Sequence, residues 1–99
     1  MYSASQGAII ASVRLLAIEL APNKIRINSI SPGMVENTPM TKSIINMLST
    51  EWEINNKKEY PLGWVETDDV ANTAVFLLSE ASKRITGTNI IVDGGFSAK

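Results

Sequence analysis

Apolar residues recur along the first twenty positions at helical spacing. Ile9, Val13, Leu16 and Leu20 stand at i, i+4, i+7 and i+11, with Ala8, Ala11 and Ala17 among them. The pattern predicts a helix over residues 2–21 whose apolar and small side chains cover more than one face. Such a helix packs on both a sheet and another helix. Pro22-Asn23-Lys24 breaks it. Ile25, Ile27 and Ile30 then alternate with polar residues and predict a strand over 25–31. Pro32-Gly33 ends that strand, because Pro lacks an N–H and Gly tolerates positive φ. From about 34 to 60 the chain reads as a helical excursion. Thr38 is placed to cap its first helix with Pro39 in the first turn, and Met40, Ile44 and Leu48 share one face. Thr50 and Glu53 have the spacing of a capping box before a shorter, more polar helix around Trp52 and Ile54.

Pro61-Leu62-Gly63 predicts a turn. Thr67 is then placed to cap a helix with Asp68 and Asp69 in its first turn, where carboxylates suit the helix dipole, and Val70, Ala74, Leu77 and Leu78 on its apolar face. Thr86-Gly87 turns into a strand over Asn89–Val92, and Asp93-Gly94-Gly95 leads to a short tail. The order helix, strand, helical insertion, helix, strand is that of an α/β protein. Its two short strands form a parallel unit joined by a right-handed crossover. Two strands do not complete such a sheet. Strand 25–31 pairs with 89–92 on one edge and is bare on the other, so a second surface is expected to cover it. There is no repeat, low-complexity tract or linker, so residues 1–99 read as a single, partial domain.

Composition narrows the function classes. Hydrophobic residues at 44% and charged residues at 19% are those of an ordinary soluble protein. With a net charge of −1 and Lys and Arg scattered along the chain, no nucleic-acid footprint is expected. Having neither Cys nor His, the chain forms no disulfide and offers a metal only carboxylates, so no metal site is expected. Residues 7–22 are apolar but interrupted by Arg14 and Glu19, which predicts a buried helix rather than a membrane span, and a cytoplasmic protein.

The chemistry-bearing residues lie in four short motifs. Tyr2 and Gln6, four residues apart, fall on one helix face. Asn28-Ser29-Ile30-Ser31-Pro32-Gly33 and Ile85-Thr86-Gly87, followed by Val92-Asp93-Gly94-Gly95, come after them in order. The segment Trp64-Val65-Glu66-Thr67-Asp68-Asp69-Val70-Ala71 precedes the last helix. Together they resemble the short-chain dehydrogenase/reductase family, with Gln6 where its Tyr-x-x-x-Lys motif has lysine.

The resemblance implies the C-terminal half of a Rossmann-type, doubly wound parallel sheet, with a helical substrate flap over about 34–60. It implies NAD or NADP as cofactor and hydride transfer between the nicotinamide and a carbonyl or alcohol, with Tyr2 as the acid/base. In the family the lysine lowers the tyrosine pKa and binds the nicotinamide ribose. Gln6 retains a hydrogen bond to the ribose but brings no charge. One charge at about 4 Å and an effective dielectric of ~20 is worth roughly 4 kcal/mol, or about three pKa units as an upper value. Pro32, Gly33 and Val35 match the turn beside the nicotinamide, and Asn37 or Thr38 would meet the cofactor.

Met34, Met40 and Met47 lie in the flap, where they line either substrate or core. Asp93-Gly94-Gly95 resembles a phosphate loop only superficially, because it opens no helix, and is read as structural. The family's glycine-rich pyrophosphate turn, catalytic serine and preceding Asn would all lie before Tyr2. This chain alone is therefore expected neither to bind NAD(P) nor to turn over. It is expected to associate with an N-terminal half or with further copies of itself. The alternative is a non-catalytic, self-associating remnant or interaction module, in which Ala4, Gly7, Ala8 and Ala11 permit close helix approach. Substrate identity and the choice of NAD or NADP are not encoded in these residues.

Overall fold

The computed structural model describes the backbone from Tyr2 to Lys99 and the side chains from Ala4 onward. Among the described residues, four α-helices and two strands follow the expected order. They are α1 (Tyr2–Leu20), β1 (Ser29–Pro32), α2 (Pro39–Met47), α3 (Thr50–Lys58), α4 (Thr67–Leu78) and β2 (Asn89–Val92). β1 and β2 form a two-stranded sheet. The Ser29 N–H donates to the Thr88 carbonyl at 3.0 Å and the Gly33 N–H to Val92 at 2.9 Å, an in-step register that is parallel. The chain divides into two compact units, residues 1–30 with 73–90, and residues 31–72 with 91–99.

In the first unit the strand begins later than its apolar pattern predicts, at Ser29 rather than Ile25. Over 26–28 one backbone bond, from the Gly87 N–H to the Ile27 carbonyl at 2.8 Å, is joined by bonds from side chains. The Asn28 amide donates to the Ile85 carbonyl at 3.0 Å and accepts from the Thr88 N–H at 3.0 Å. The Ile27 N–H donates to Thr86 Oγ1 at 3.1 Å. The Arg26 guanidinium closes the C-terminal end of α4, donating to the carbonyls of Leu77 at 2.9 Å, Ser79 at 3.3 Å and Ile85 at 3.1 Å. Ser82, buried, adds a hydroxyl donor to Leu77 at 2.9 Å.

Ala17 is buried on α1, and a Cβ added at Gly87 would lie 3.2 Å from its methyl. The expectation that both apolar faces of α1 are covered is not met within this chain, since Leu15 is 70% and Ile18 77% exposed. By length and composition Ala4–Asn23 is apolar enough to cross a membrane, although Arg14 and Glu19 interrupt it.

The second unit holds the helical excursion and the C-terminal loop. Thr38 caps α2 as expected, accepting from the Thr41 N–H at 3.2 Å, with Pro39 at the first position. The other two helix starts differ from the expected caps. Ser49, not Thr50, caps α3, accepting from the Trp52 N–H at 3.0 Å. Thr67 is the first residue of α4 rather than its cap, and Asp69 Oδ2 accepts from the Glu66 N–H at 2.8 Å. At α3 a neighbouring hydroxyl of equal capping capacity takes the role, which residue type alone does not decide.

Trp64 and Val65 are buried. Trp64 Nε1 donates to Asn56 Oδ1 at 3.0 Å. Lys57 Nζ lies 4.9 Å from the Trp64 ring and bridges Glu53 at 3.1 Å and Glu36 at 3.4 Å.

Asp93-Gly94-Gly95 is structural, as expected. The Asp93 carboxylate accepts from the N–H groups of Gly95 at 3.0 Å and Ser97 at 2.9 Å. The Ser97 hydroxyl foremost, and these N–H groups after it, hold its pKa below the ordinary 3.8 against the opposing effect of desolvation. A carboxyl whose pKa is depressed on folding contributes stability above its unfolded pKa and loses it as pH falls through the folded value. The stability difference between wild type and Asp93→Asn, measured by urea unfolding, should therefore be constant at neutral pH and shrink as pH falls below 3.8. A difference unchanged by acid would contradict this assignment.

Candidate active site

The expected site residues come from both units. In the first, α1 carries Tyr2 and Gln6. The Tyr2 side chain lies outside the described residues. Gln6 is half-buried on the first turns of the helix. Arg14, the first cation after Gln6 on α1, lies eight residues on, about 12 Å along the axis at 1.5 Å per residue. Across that distance an exposed charge is largely screened at physiological salt. No residue of α1 therefore brings Gln6 the positive charge that a lysine would carry.

In the second unit, β1 ends in Pro32, and Gly33 turns the chain. A Cβ at Gly33 would stand 2.9 Å from the Asp93 Cβ and 3.0 Å from the Tyr60 ring. Glycine is thus required here by Asp93 and Tyr60 packed against it, a constraint the sequence reading did not anticipate. The chain then runs extended and pairs in parallel with Val65. The Val65 N–H donates to Met34 at 2.9 Å, and the Glu36 N–H to Val65 at 2.8 Å. Alternation along an extended chain turns the N–H and carbonyl of Val35 to the opposite edge. There the Val35 carbonyl accepts from Thr41 Oγ1, while among the described residues no acceptor meets the Val35 N–H.

Thr38 and Asn37, left as alternatives by the sequence, have different environments. The Thr38 hydroxyl is committed to the α2 cap and lies 3.0 Å from Thr41 Oγ1. Asn37 adopts a left-handed backbone, φ 59°, and exposes its amide. Thr41, almost fully buried, orients this loop and was not singled out from sequence. Its signal was the Thr-x-x-Thr spacing at a helix start.

The three flap methionines are not one stripe. Met34 Sδ lies 3.5 Å from Thr41 Oγ1, whereas Met40 and Met47 are 66% and 80% exposed on α2. Among the described residues, no group of three acidic side chains is placed to hold a metal ion.

Comparison with known proteins places this geometry. Residues 1–97 match the family described as Enoyl-(Acyl carrier protein) reductase. The chain is 40% identical over 97 residues to the 3-oxoacyl-(acyl-carrier-protein) reductase FabG of Chlamydia pneumoniae, covering 97% of this chain and 37% of that protein. It is 37% identical over 98 residues to carbonyl reductase (NADPH) 2 of Sus scrofa, covering 98% and 39% respectively. The crystal structure of a short chain dehydrogenase family protein from Francisella tularensis superposes with a TM-score of 0.90 at 35% identity, over 99% of this chain and 43% of that one.

The chain thus spans about 40% of the length of the relatives it matches. Its two parallel strands and flanking helices are part of a Rossmann-type α/β sheet. On the match along nearly its whole length and the fold it shares with these oxidoreductases, the chain belongs to the short-chain dehydrogenase/reductase family.

Proposed function

We propose that this chain supplies the acid/base helix, the nicotinamide-facing turn and the substrate flap of an NAD(P)-dependent oxidoreductase that interconverts a carbonyl and an alcohol. The observation that carries this reading is the edge after Gly33, where the Val35 N–H has no acceptor among the described residues and the Asn37 amide is exposed two residues on. A donor and a side-chain amide placed together suit a carboxamide, which both donates and accepts.

When bound, the nicotinamide supplies or accepts the hydride. Val35 and Asn37 hold and orient the carboxamide, and the Thr41 hydroxyl fixes the Val35 peptide behind them. Tyr2 moves the proton to or from the substrate oxygen, and Gln6 hydrogen-bonds the ribose. Because Gln6 is neutral, it gives a tyrosinate none of the charge stabilisation a lysine would, and proton transfer is slowed at neutral pH. The exposed Met40 and Met47 present an adaptable apolar wall to the substrate.

The pyrophosphate cradle and catalytic serine fall to the part of the family fold that these residues do not include, so isolated residues 1–99 should neither bind NAD(P) nor turn over. We further propose a cytoplasmic protein in which α1 packs against protein, its exposed Leu15 and Ile18 covered by the remainder of the fold or by a second copy.

The test is NAD(P)H oxidation by the complete protein over a panel of aldehydes and ketones. Tyr2→Phe should lower kcat by about 10²-fold or more while leaving NAD(P)H affinity, read by fluorescence, unchanged. A complete protein that binds neither nicotinamide would instead favour the non-catalytic, self-associating reading, which the exposed apolar face of α1 also supports.

A further inference from the structure

Charge is divided unevenly between the two units. Residues 1–30 and 73–90 hold five Lys and Arg against two Glu, whereas residues 31–72 and 91–99 hold four against eight carboxylates. Four of the five cations in the first unit, Lys24, Arg26, Lys83 and Arg84, line one open cleft of about 550 Å³. They reach it from two segments, 21–26 and 80–86, and share it with Thr86 and a single carboxylate, Glu80. None of the ion pairs among the described residues involves any of the four.

Arg26 is held in place by the three carbonyls that accept from it, none of which neutralises its charge. Lys24 occupies a left-handed turn, φ 60°, closed by its N–H on the Ala21 carbonyl at 2.9 Å. Segment 21–26 precedes β1 and segment 80–86 precedes β2, so the cleft lies by the N-terminal ends of the strands.

We propose that this cleft is a binding site for a compact polyanion of the di- or triphosphate class, separate from the nicotinamide turn. Unpaired cations converging on one concavity repel one another, and an anion bound among them relieves that repulsion. The volume falls within the ~300–1,000 Å³ of small-molecule sites, which favours a small ligand over an extended acidic protein surface. The Arg84 guanidinium and the Lys24 and Lys83 ammonium groups suit phosphate oxygens, while Arg26, whose donors are largely engaged by the three carbonyls, adds fixed positive charge. The proposal is independent of the hydride-transfer reading, and its readout is binding.

The experiment is calorimetric titration of the complete protein with sodium tripolyphosphate in the presence of saturating NADPH, which occupies any dinucleotide site. The Lys83→Ala/Arg84→Ala double variant, altered at two exposed positions, should bind about tenfold more weakly. Glu80→Gln should bind about two- to threefold more tightly, since it removes the one carboxylate. Circular dichroism of both variants confirms the fold. Absence of binding at millimolar tripolyphosphate, equal affinity in wild type and the double variant, or tighter binding of citrate or of a poly-glutamate peptide would each overturn the assignment.

Discussion

Gln6→Lys in the complete protein is expected to raise kcat at pH 7 by up to about 10²–10³-fold. The family resemblance puts a lysine ammonium at this position, and the i, i+4 spacing on α1 sets it on the face of Tyr2. A cation beside a phenol favours the tyrosinate and lowers its pKa. At about 4 Å and an effective dielectric of ~20 the interaction approaches 4 kcal/mol, or about three pKa units before solvent screening reduces it. Gln6 is only half-buried, so part of that effect is lost to water, which is why the expected gain is bounded rather than fixed.

The pH profile separates this mechanism from a general improvement in folding. In the lysine variant, assayed in the alcohol-oxidation direction where tyrosinate is the base, the ascending limb of kcat should move to lower pH, whereas a stability effect would scale the whole profile. Gln6→Met, uncharged and of similar length, should show no such displacement. A lysine variant that is folded and binds NAD(P)H but has unchanged kcat and an unmoved profile would remove Gln6 from the reaction.

Gly94→Ala is expected to destabilise the fold by about 2–4 kcal/mol. Its Cβ would lie 2.3 Å from the Gly63 carbonyl oxygen, an approach no rotation relieves because the obstacle is backbone. The Leu62 N–H donates to the Gly94 carbonyl at 2.8 Å, so the two loops cannot separate without losing that bond as well. Overpacking of this kind typically costs about 1–3 kcal/mol, and the left-handed backbone, φ 60°, adds roughly 1 kcal/mol for a residue with a side chain.

Two other glycines isolate the contributions. Gly63 is left-handed, φ 84°, but nothing lies within 4 Å of its added Cβ, so Gly63→Ala should carry the backbone cost alone. Gly7 sits in α1 with open space around it, and Gly7→Ala should stabilise by about 0.5–1 kcal/mol through helix propensity. Urea unfolding midpoints should therefore rank Gly7→Ala above wild type, Gly63→Ala below it and Gly94→Ala lowest. Equal midpoints for the Gly63 and Gly94 variants would mean that the loops move apart without cost.

The element order, the α2 cap at Thr38-Pro39, the turn at Pro61–Gly63 and strand Asn89–Val92 were legible in the sequence by itself. Each depends on residues within about four positions of one another, where hydrophobic period, capping hydroxyls and Pro or Gly geometry act locally. Family membership was legible for a related reason. The motifs around Tyr2, Pro32-Gly33 and Asp93–Gly95 are contiguous and keep their order. The placement of α3 and α4 was legible, but not which of Ser49 and Thr50 caps α3, nor that Thr67 opens α4 instead of capping it.

What tertiary structure alone decided spans much longer separations. β1 starts at Ser29 because Asn28 bonds partners 57 and 60 residues away, and α4 ends where Arg26 reaches it across 51 residues. Gly33 is glycine because Asp93 and Tyr60 fill the space of a Cβ. The basic cleft exists because Lys24 and Arg26 converge with Lys83 and Arg84, cations that look scattered along the chain. Periodicity and capping report what each segment can do on its own. The remainder is set by which polar groups, charges and side-chain volumes the fold brings within a few ångströms of one another, and no local pattern contains that.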